Sequence, residues 1–242
     1  MFSLFKKDIN VFFSSLTGYL VIGVFLVFLG LNLFVFPGNI LEGGYANLDH
    51  FFALTPWVML LLVPAITMRS LADEFRGGTI ELLATKPLSD WQIVGGKFLA
   101  GIVLWAFTLL PTLLYFACIA TLDLEGAPID SGAVTGSYIG LFLLGTVFVS
   151  VGIFASSLSS NQIVAFLLGV LMCYLFYDAF SQLSSLSVFT GPSGYMIQSL
   201  GIGAHYDSLS RGLIDSRDLL YFASVVVLFL VFTKTILSRR RW

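Results

Sequence analysis

Arg69-Ser-Leu-Ala-Asp-Glu-Phe-Arg-Gly-Gly-Thr-Ile-Glu-Leu-Leu-Ala-Thr-Lys-Pro-Leu-Ser-Asp-Trp-Gln-Ile-Val-Gly-Gly-Lys97 is the only long charged segment of this chain that lies between two long apolar ones. The flanks, roughly Phe51 to Met68 and Ile93 to Leu122, are apolar over the length a membrane crossing needs, about 20 residues. A lipid-embedded chain that keeps a polar connector of this size is expected to present it to a partner. The connector, more than the apolar bulk, points to a function.

Working outward, composition agrees with that class. Hydrophobic residues make up 57% of the 242 residues and charged residues 11%, against about 25% charged in a soluble domain. That leaves too little polar surface to cover a water-soluble globule. The net charge of -2 carries no basic excess, so nucleic acid is not an expected partner. Cys118 and Cys173 both sit in apolar runs, where thiols act as small hydrophobes, and they build neither a disulfide framework nor a metal spacing.

Six spans follow from apolar length: roughly Leu16 to Phe36, Phe51 to Met68, Ile93 to Leu122, Val134 to Leu158, Gln162 to Leu183 and Leu219 to Leu237. The first is too long for a signal-peptide core and no small-residue cleavage site follows it. Ten of the twelve Lys and Arg residues fall on one side: Lys6, Lys7, Arg69, Arg76, Lys86, Lys97, Lys234, Arg239, Arg240 and Arg241. Only Arg211 and Arg217 fall on the other. The bias places both ends of the chain and the Arg69–Lys97 connector in the cytoplasm. Arg239 to Arg241 marks the inner end of the sixth span and meets anionic membrane lipid.

Before the first span, Phe5, Ile9, Phe12, Phe13 and Leu16 recur at helical spacing, with Lys6, Lys7 and Asn10 largely opposite. This pattern predicts an interfacial helix over residues 1–15. Ser159 and Gln162 have capping-box spacing in the short turn between spans four and five. The outer connection, 184–218, is long enough to hold short helices of its own, around Gly191-Pro-Ser-Gly194 and Tyr195 to Leu200. There is no internal repeat and no soluble second domain, so the chain reads as one all-α transmembrane domain.

Within the connector the local chemistry is specific. The second span is expected to continue as helix to about Phe75, with Leu71 and Phe75 on one face and Asp73, Glu74 and Arg76 on the others. Gly77-Gly78 breaks it. Thr79 is placed to cap a short helix, Ile80 to Ala84, with Glu81 in its first turn, and Pro87 helps end it. Ser89-Asp-Trp-Gln92 is a capping box that opens the third span, and Trp91 suits the aromatic belt. Two readings stand: a short helix held off the membrane for a partner's groove, or a solvated loop that joins two spans.

Glu74-x-x-x-Gly78-Thr79-x-Glu81-Leu82-Leu83-x-x-x-Pro87, followed by Gly96-Lys97, resembles the signature of ABC-2 type transporter permeases. The whole chain fits that pattern. It is most similar to the permease subunits of gliding-motility-associated ABC transporters, and similar also to those for nitrous-oxide-reductase maturation; Ser210 to Leu219 carries part of this likeness. The resemblance implies a six-span ABC-2 exporter fold in a bacterial inner membrane. It implies export or mechanotransmission, driven by a separate cytoplasmic ATPase that carries ATP and Mg. It assigns Glu74, Gly78, Thr79, Glu81, Leu82, Leu83 and Pro87 to a coupling helix within residues 69–92. A six-span subunit is half of a transporter, so a homo- or heterodimer is implied, and an extracytoplasmic auxiliary subunit is a further candidate partner. The chain has no G-x-x-x-x-G-K-[ST] run, since Gly96-Lys97 is followed by Phe98. It is therefore read as a transport subunit with no catalytic residues, cofactor or metal of its own.

Two other constellations compete. Ser193 in Gly191-Pro-Ser-Gly194, with His205, evokes a six-span intramembrane serine protease, although both lie in one outer connection and Gly-Pro-Ser-Gly is also simply a turn. A non-transporting membrane scaffold is the third class. Asp178 is the one carboxylate near the interior of a span. It either reaches the outer interface or lines an outer vestibule. His50 and His205 have no ligand spacing, and Pro56, Pro64 and Pro111 are candidates for helix kinks.

Overall fold

The computed structural model describes residues 2–37, 40, 48–80, 89–122, 130–186, 189 and 191–239. Among them there are helices and no strands. In chain order these are α1 (Phe2–Ser14), α2 (Leu16–Phe34), α3 (Asp49–Thr67), α4 (Arg69–Arg76), α5 (Asp90–Leu109), α6 (Leu113–Leu122), α7 (Ser131–Leu158), α8 (Gln162–Tyr174), α9 (Phe180–Ser184), α10 (Pro192–Gln198), α11 (Ile202–Leu209) and α12 (Ser216–Arg239). Six stretches are long and apolar enough to cross a membrane: Leu16–Phe34, Asp49–Arg76, Asp90–Ala120, Ser131–Leu158, Gln162–Ser184 and Ser216–Arg239. The six expected spans are all present.

Local chemistry sets the helix boundaries. Ser15 starts α2, its hydroxyl accepting from the Gly18 N–H at 3.3 Å. Asp130 opens α7 by accepting from the N–H groups of Gly132 and Ala133, both at 3.0 Å. The Ser89 capping box forms in full, with the hydroxyl taking the Gln92 N–H at 3.3 Å and the Gln92 side chain taking the Ser89 N–H at 3.0 Å. The box expected at Ser159 does not form. Asn161 caps α8, accepting from Ile163 N–H at 2.9 Å, while Ser159 accepts from Asn161 N–H at 3.0 Å. Asn at N-cap needs only one turn of local geometry, so it wins over a serine two residues earlier.

Pro111 divides the third span. A 3-10 turn, Leu110–Thr112, separates α5 from α6, since proline has no N–H to donate to the preceding turn. The Tyr138 hydroxyl donates to the Thr112 carbonyl at 3.0 Å across to α7. Within the fifth span a π turn, Leu175–Ala179, joins α8 to α9.

α7 is the hub. It packs against α3, α5, α8 and α12, and 72% of its most apolar window is buried, against 17% for α12. Small residues on its faces allow this: Gly136, Gly140, Gly145, Ser150, Gly152 and Ser156 are all buried. α2 shows the opposite character, with Phe25, Leu29 and Leu33 buried on one stripe and Leu20, Val24 and Val27 exposed on the other, the latter facing where lipid would lie. A smaller apolar cluster joins Leu4 of α1, Ile93 and Val94 of α5 and Leu237 of α12, with Phe75 of α4 and Ile80 packed against it. That cluster seats α1 beside the root of the Arg69–Lys97 connector. The 184–218 connection holds the short helices α10 and α11, as its composition predicts.

Candidate functional site

The charged residues beside this small cluster converge rather than face solvent. Lys97, on α5, lies on the stripe Ile93, Val94, Gly96, Ala100 and Gly101, all buried. Its side chain is 1% exposed. A cation there requires partners. It donates to the carbonyl of Ser70, and its ammonium lies 3.3 Å from the Asp8 carboxylate and 3.6 Å from that of Glu74. Glu74, with a side chain 6% exposed, also takes Lys7 at 2.7 Å and the hydroxyl of Thr79. Four parts of the chain therefore meet: α1 through Lys7 and Asp8, α4 through Ser70 and Glu74, the connector through Thr79, and α5 through Lys97. Burial pushes the Asp8 carboxyl above the ordinary range, against the pull of Lys97.

α4 is held by α7. At the break between α3 and α4 the Ser156 hydroxyl accepts from the N–H groups of Leu71 and Ala72, both at 3.0 Å, and donates to Met68 O at 2.9 Å. It thus serves two of the donors that a helix start leaves without intrahelical partners. Ser156→Ala is expected to cost about 1–3 kcal/mol, because two buried donors lose their acceptor. Unfolding in mixed detergent micelles measures it, and Ser156→Thr should recover most of the loss. Wild-type stability in the alanine variant would mean that the donors find other acceptors. The Gln162 side chain donates to Asp73, tying the start of α8 to α4 as well.

The expected site residues divide as follows. Glu74, expected on a face of α4 other than that of Leu71 and Phe75, is turned into the network, where Lys7 and Lys97 compensate its burial. α4 ends where Gly77 donates to Asp73 O at 2.9 Å, and Gly78 takes φ 65°, a backbone that favours glycine. Residues 79 and 80 are already helical, so the boundary is Gly78, and the Thr79 hydroxyl is committed to Glu74 instead of capping. Glu81, Leu82, Leu83 and Pro87, with the rest of the expected short helix, lie outside the described residues. Sequence reasoning missed Asp8, Ser70 and Ser156, and used Lys7 and Lys97 mainly for orientation. The available signal was Lys97 itself, four residues after Ile93 on an apolar helical stripe.

Asp178 lies at the other end of the bundle, in the π turn, where it takes the Gln182 amide at 3.2 Å. It lines a cavity of about 450 Å³ with Asp49, Phe52, Trp57, Tyr177 and Tyr206, among others. His205 and Ser193 do not make a hydrolytic pair. His205 Nδ1 is 2.7 Å from Asp218, its Nε2 is 3.0 Å from the carbonyl of Ser199, and its ring stacks on Tyr221 at 3.9 Å. Both ring nitrogens are engaged, so neither is left to take a proton from a serine. The cluster instead fastens the α10–α11 segment to the start of α12. Trp91 is half exposed, with the Lys234 ammonium 5.6 Å from its ring centre.

Compared with known families, residues 49–239 match the family described as "ABC-2 family transporter protein". The match takes in Glu74, Thr79 and Lys97 and leaves α1, with Lys7 and Asp8, outside it. No curated protein matches the chain.

Proposed function

The chain belongs to the ABC-2 transporter family and is a multi-pass membrane permease subunit; from that premise we propose that its Arg69–Lys97 segment couples it to a separate cytoplasmic ATPase. The observation that carries this reading is the buried network of Glu74, Lys97, Asp8 and Lys7, with the Thr79 hydroxyl bound to Glu74. It fixes the root of the segment to two spans and to α1. A push on residues 79–88 would therefore reach α4 and α5 together and would not be lost in a slack loop. Glu74, Gly78 and Thr79 form the stem in this reading. Glu81, Leu82, Leu83 and Pro87 form the part that meets the ATPase, which carries ATP and Mg.

The finer reading has these parts. The chain is one transmembrane domain, with residues 1–15 in the inner interface, 69–92 as the coupling segment and 184–218 as an outer cap. It sits in a bacterial inner membrane with both ends cytoplasmic, supported by the Lys and Arg asymmetry. It acts in a dimer, as itself or with a second permease, in export or mechanotransmission. The likeness to gliding-motility-associated permeases gives the subgroup, Asp178 belongs to the wall of an outer vestibule, and an extracytoplasmic subunit would contact the outer cap.

Glu81→Lys and Leu82→Asp test the reading. In the purified complex, each should leave membrane insertion and basal ATP hydrolysis intact and abolish the link between hydrolysis and the conformational response of the permease. A pull-down in mild detergent should bring the ATPase with wild type and less of it with Leu82→Asp. Unaltered co-purification and response in both variants would overturn the coupling role.

A further inference from the structure

Beside the charged network lies a cavity of about 290 Å³, lined by residues of α1, α2, α3, α4, α5 and α7. Arg69 is part of its wall, and the buried Arg69 Nε has no hydrogen-bond partner among the described residues. The nearby acids are already engaged: Glu74 with Lys7, Lys97 and Thr79, Asp8 with Lys97, and Asp73 with the Gln162 amide. Lys7, Asp8, Glu74 and Lys97 line the cavity too and balance one another, and Asp73 on the same wall is hydrogen-bonded to a neutral amide, so the wall's three cations and three carboxylates are equal in number. Arg69 is the one of these cations that makes no ion pair among the described residues. A guanidinium offers five donors in a planar fork suited to phosphate, and a buried donor without an acceptor is costly.

The rest of the wall is amphipathic. The hydroxyl residues Ser15 and Thr17 lie at the turn between α1 and α2, while Val11, Phe12, Val21 and Leu104 supply an apolar side. Val11 is 50% exposed, so that side continues onto the outer surface of the bundle. The volume is at the small end of ligand pockets, about 300–1,000 Å³. It admits a headgroup and the first carbons of a chain, and not a whole lipid.

We propose that this cavity binds the phosphate headgroup of an anionic membrane lipid, with Arg69 as the counter-charge and the acyl chain leaving along Val11 and Phe12. Both α1 and α4 contribute to the wall, together with α3 and α5, so an occupant bridges the interfacial helix to the connector stem. The inference requires that the chain be a membrane protein. It does not require the ATPase docking, and either can fail without the other.

Native mass spectrometry of the full chain, released from micelles doped with equal phosphatidylglycerol and phosphatidylcholine, tests it. Wild type should retain phosphatidylglycerol in preference. Arg69→Gln should lower that retention about tenfold and leave phosphatidylcholine unchanged, the factor expected for one charge-assisted contact. Arg69→Lys should fall between. Ala65→Leu, which fills the cavity and keeps the charge, should also expel the lipid, and it stands in if Arg69→Gln does not fold. Equal retention of the two lipids by wild type, or full phosphatidylglycerol retention in both Arg69→Gln and Ala65→Leu, would overturn the site. Loss of the lipid to excess inorganic phosphate alone would replace the lipid with a simple anion.

Discussion

Lys97→Met is expected to lower the unfolding free energy of this chain by about 3–5 kcal/mol, the usual cost of breaking a buried ion pair from one side. The substitution keeps the length of the side chain and removes its charge. The Ser70 carbonyl then loses its donor, and the carboxylates of Asp8 and Glu74 lose their shared cation at 3.3 and 3.6 Å. Glu74 retains Lys7 at 2.7 Å, but Lys7 is half exposed and screened, so it compensates only part of the loss. The cost should therefore be largest in the seat of α1. Unfolding titrations in mixed micelles, read by limited proteolysis of residues 2–14, measure both the total and its location. The decisive comparison is Lys97→Met with Asp8→Asn and Glu74→Gln. Removing all three charges should recover much of the stability, because apolar or neutral replacement of a whole buried network is often close to neutral. Additive losses through the series would mean that these residues do not form one network.

Gly145→Ala is expected to cost about 3 kcal/mol, the upper end for overpacking a core with a single methyl. A Cβ at Gly145 would fall inside the van der Waals envelope of the Trp105 indole at Nε1, Cε2 and Cδ1. Trp105 is fully buried, its Nε1 has no hydrogen-bond partner among the described residues, and Phe25 packs edge-on against it at 6.2 Å. The indole cannot swing aside without opening the contact between α5 and α7, and α7 is the helix on which α3, α5, α8 and α12 pack. Trp105→Leu in the same chain should relieve the clash, so that the double variant is more stable than the sum of the two single losses predicts. Additivity of the two changes would show that the helices do not meet there. Because α5 also carries Lys97, the single variant should weaken the cytoplasmic network as well, visible as faster proteolysis of α1.

The sequence by itself determined what depends on neighbours in the chain. Apolar length set the six spans, and the Ser89–Gln92 box and the Gly77-Gly78 break set the two edges of the connector, because capping and glycine conformation act over three or four residues. Where two local signals competed, as at Ser159 and Asn161, the choice needed the actual turn geometry. The tertiary structure alone decided the rest. In a membrane protein the lipid face and the packed face of a helix are both apolar, so hydropathy did not distinguish the exposed stripe of α2 from the buried faces of α7. Charge gave the orientation of Lys7 and Lys97 and nothing of their partners. Those partners are 67 residues away for Lys7 and Glu74, and 89 for Lys97 and Asp8, and only the folded bundle brings them to one buried point. Arg69 reads in sequence as one more cytoplasmic charge; it becomes a candidate ligand for phosphate only because the fold buries its Nε in a cavity wall with no hydrogen-bond partner among the described residues.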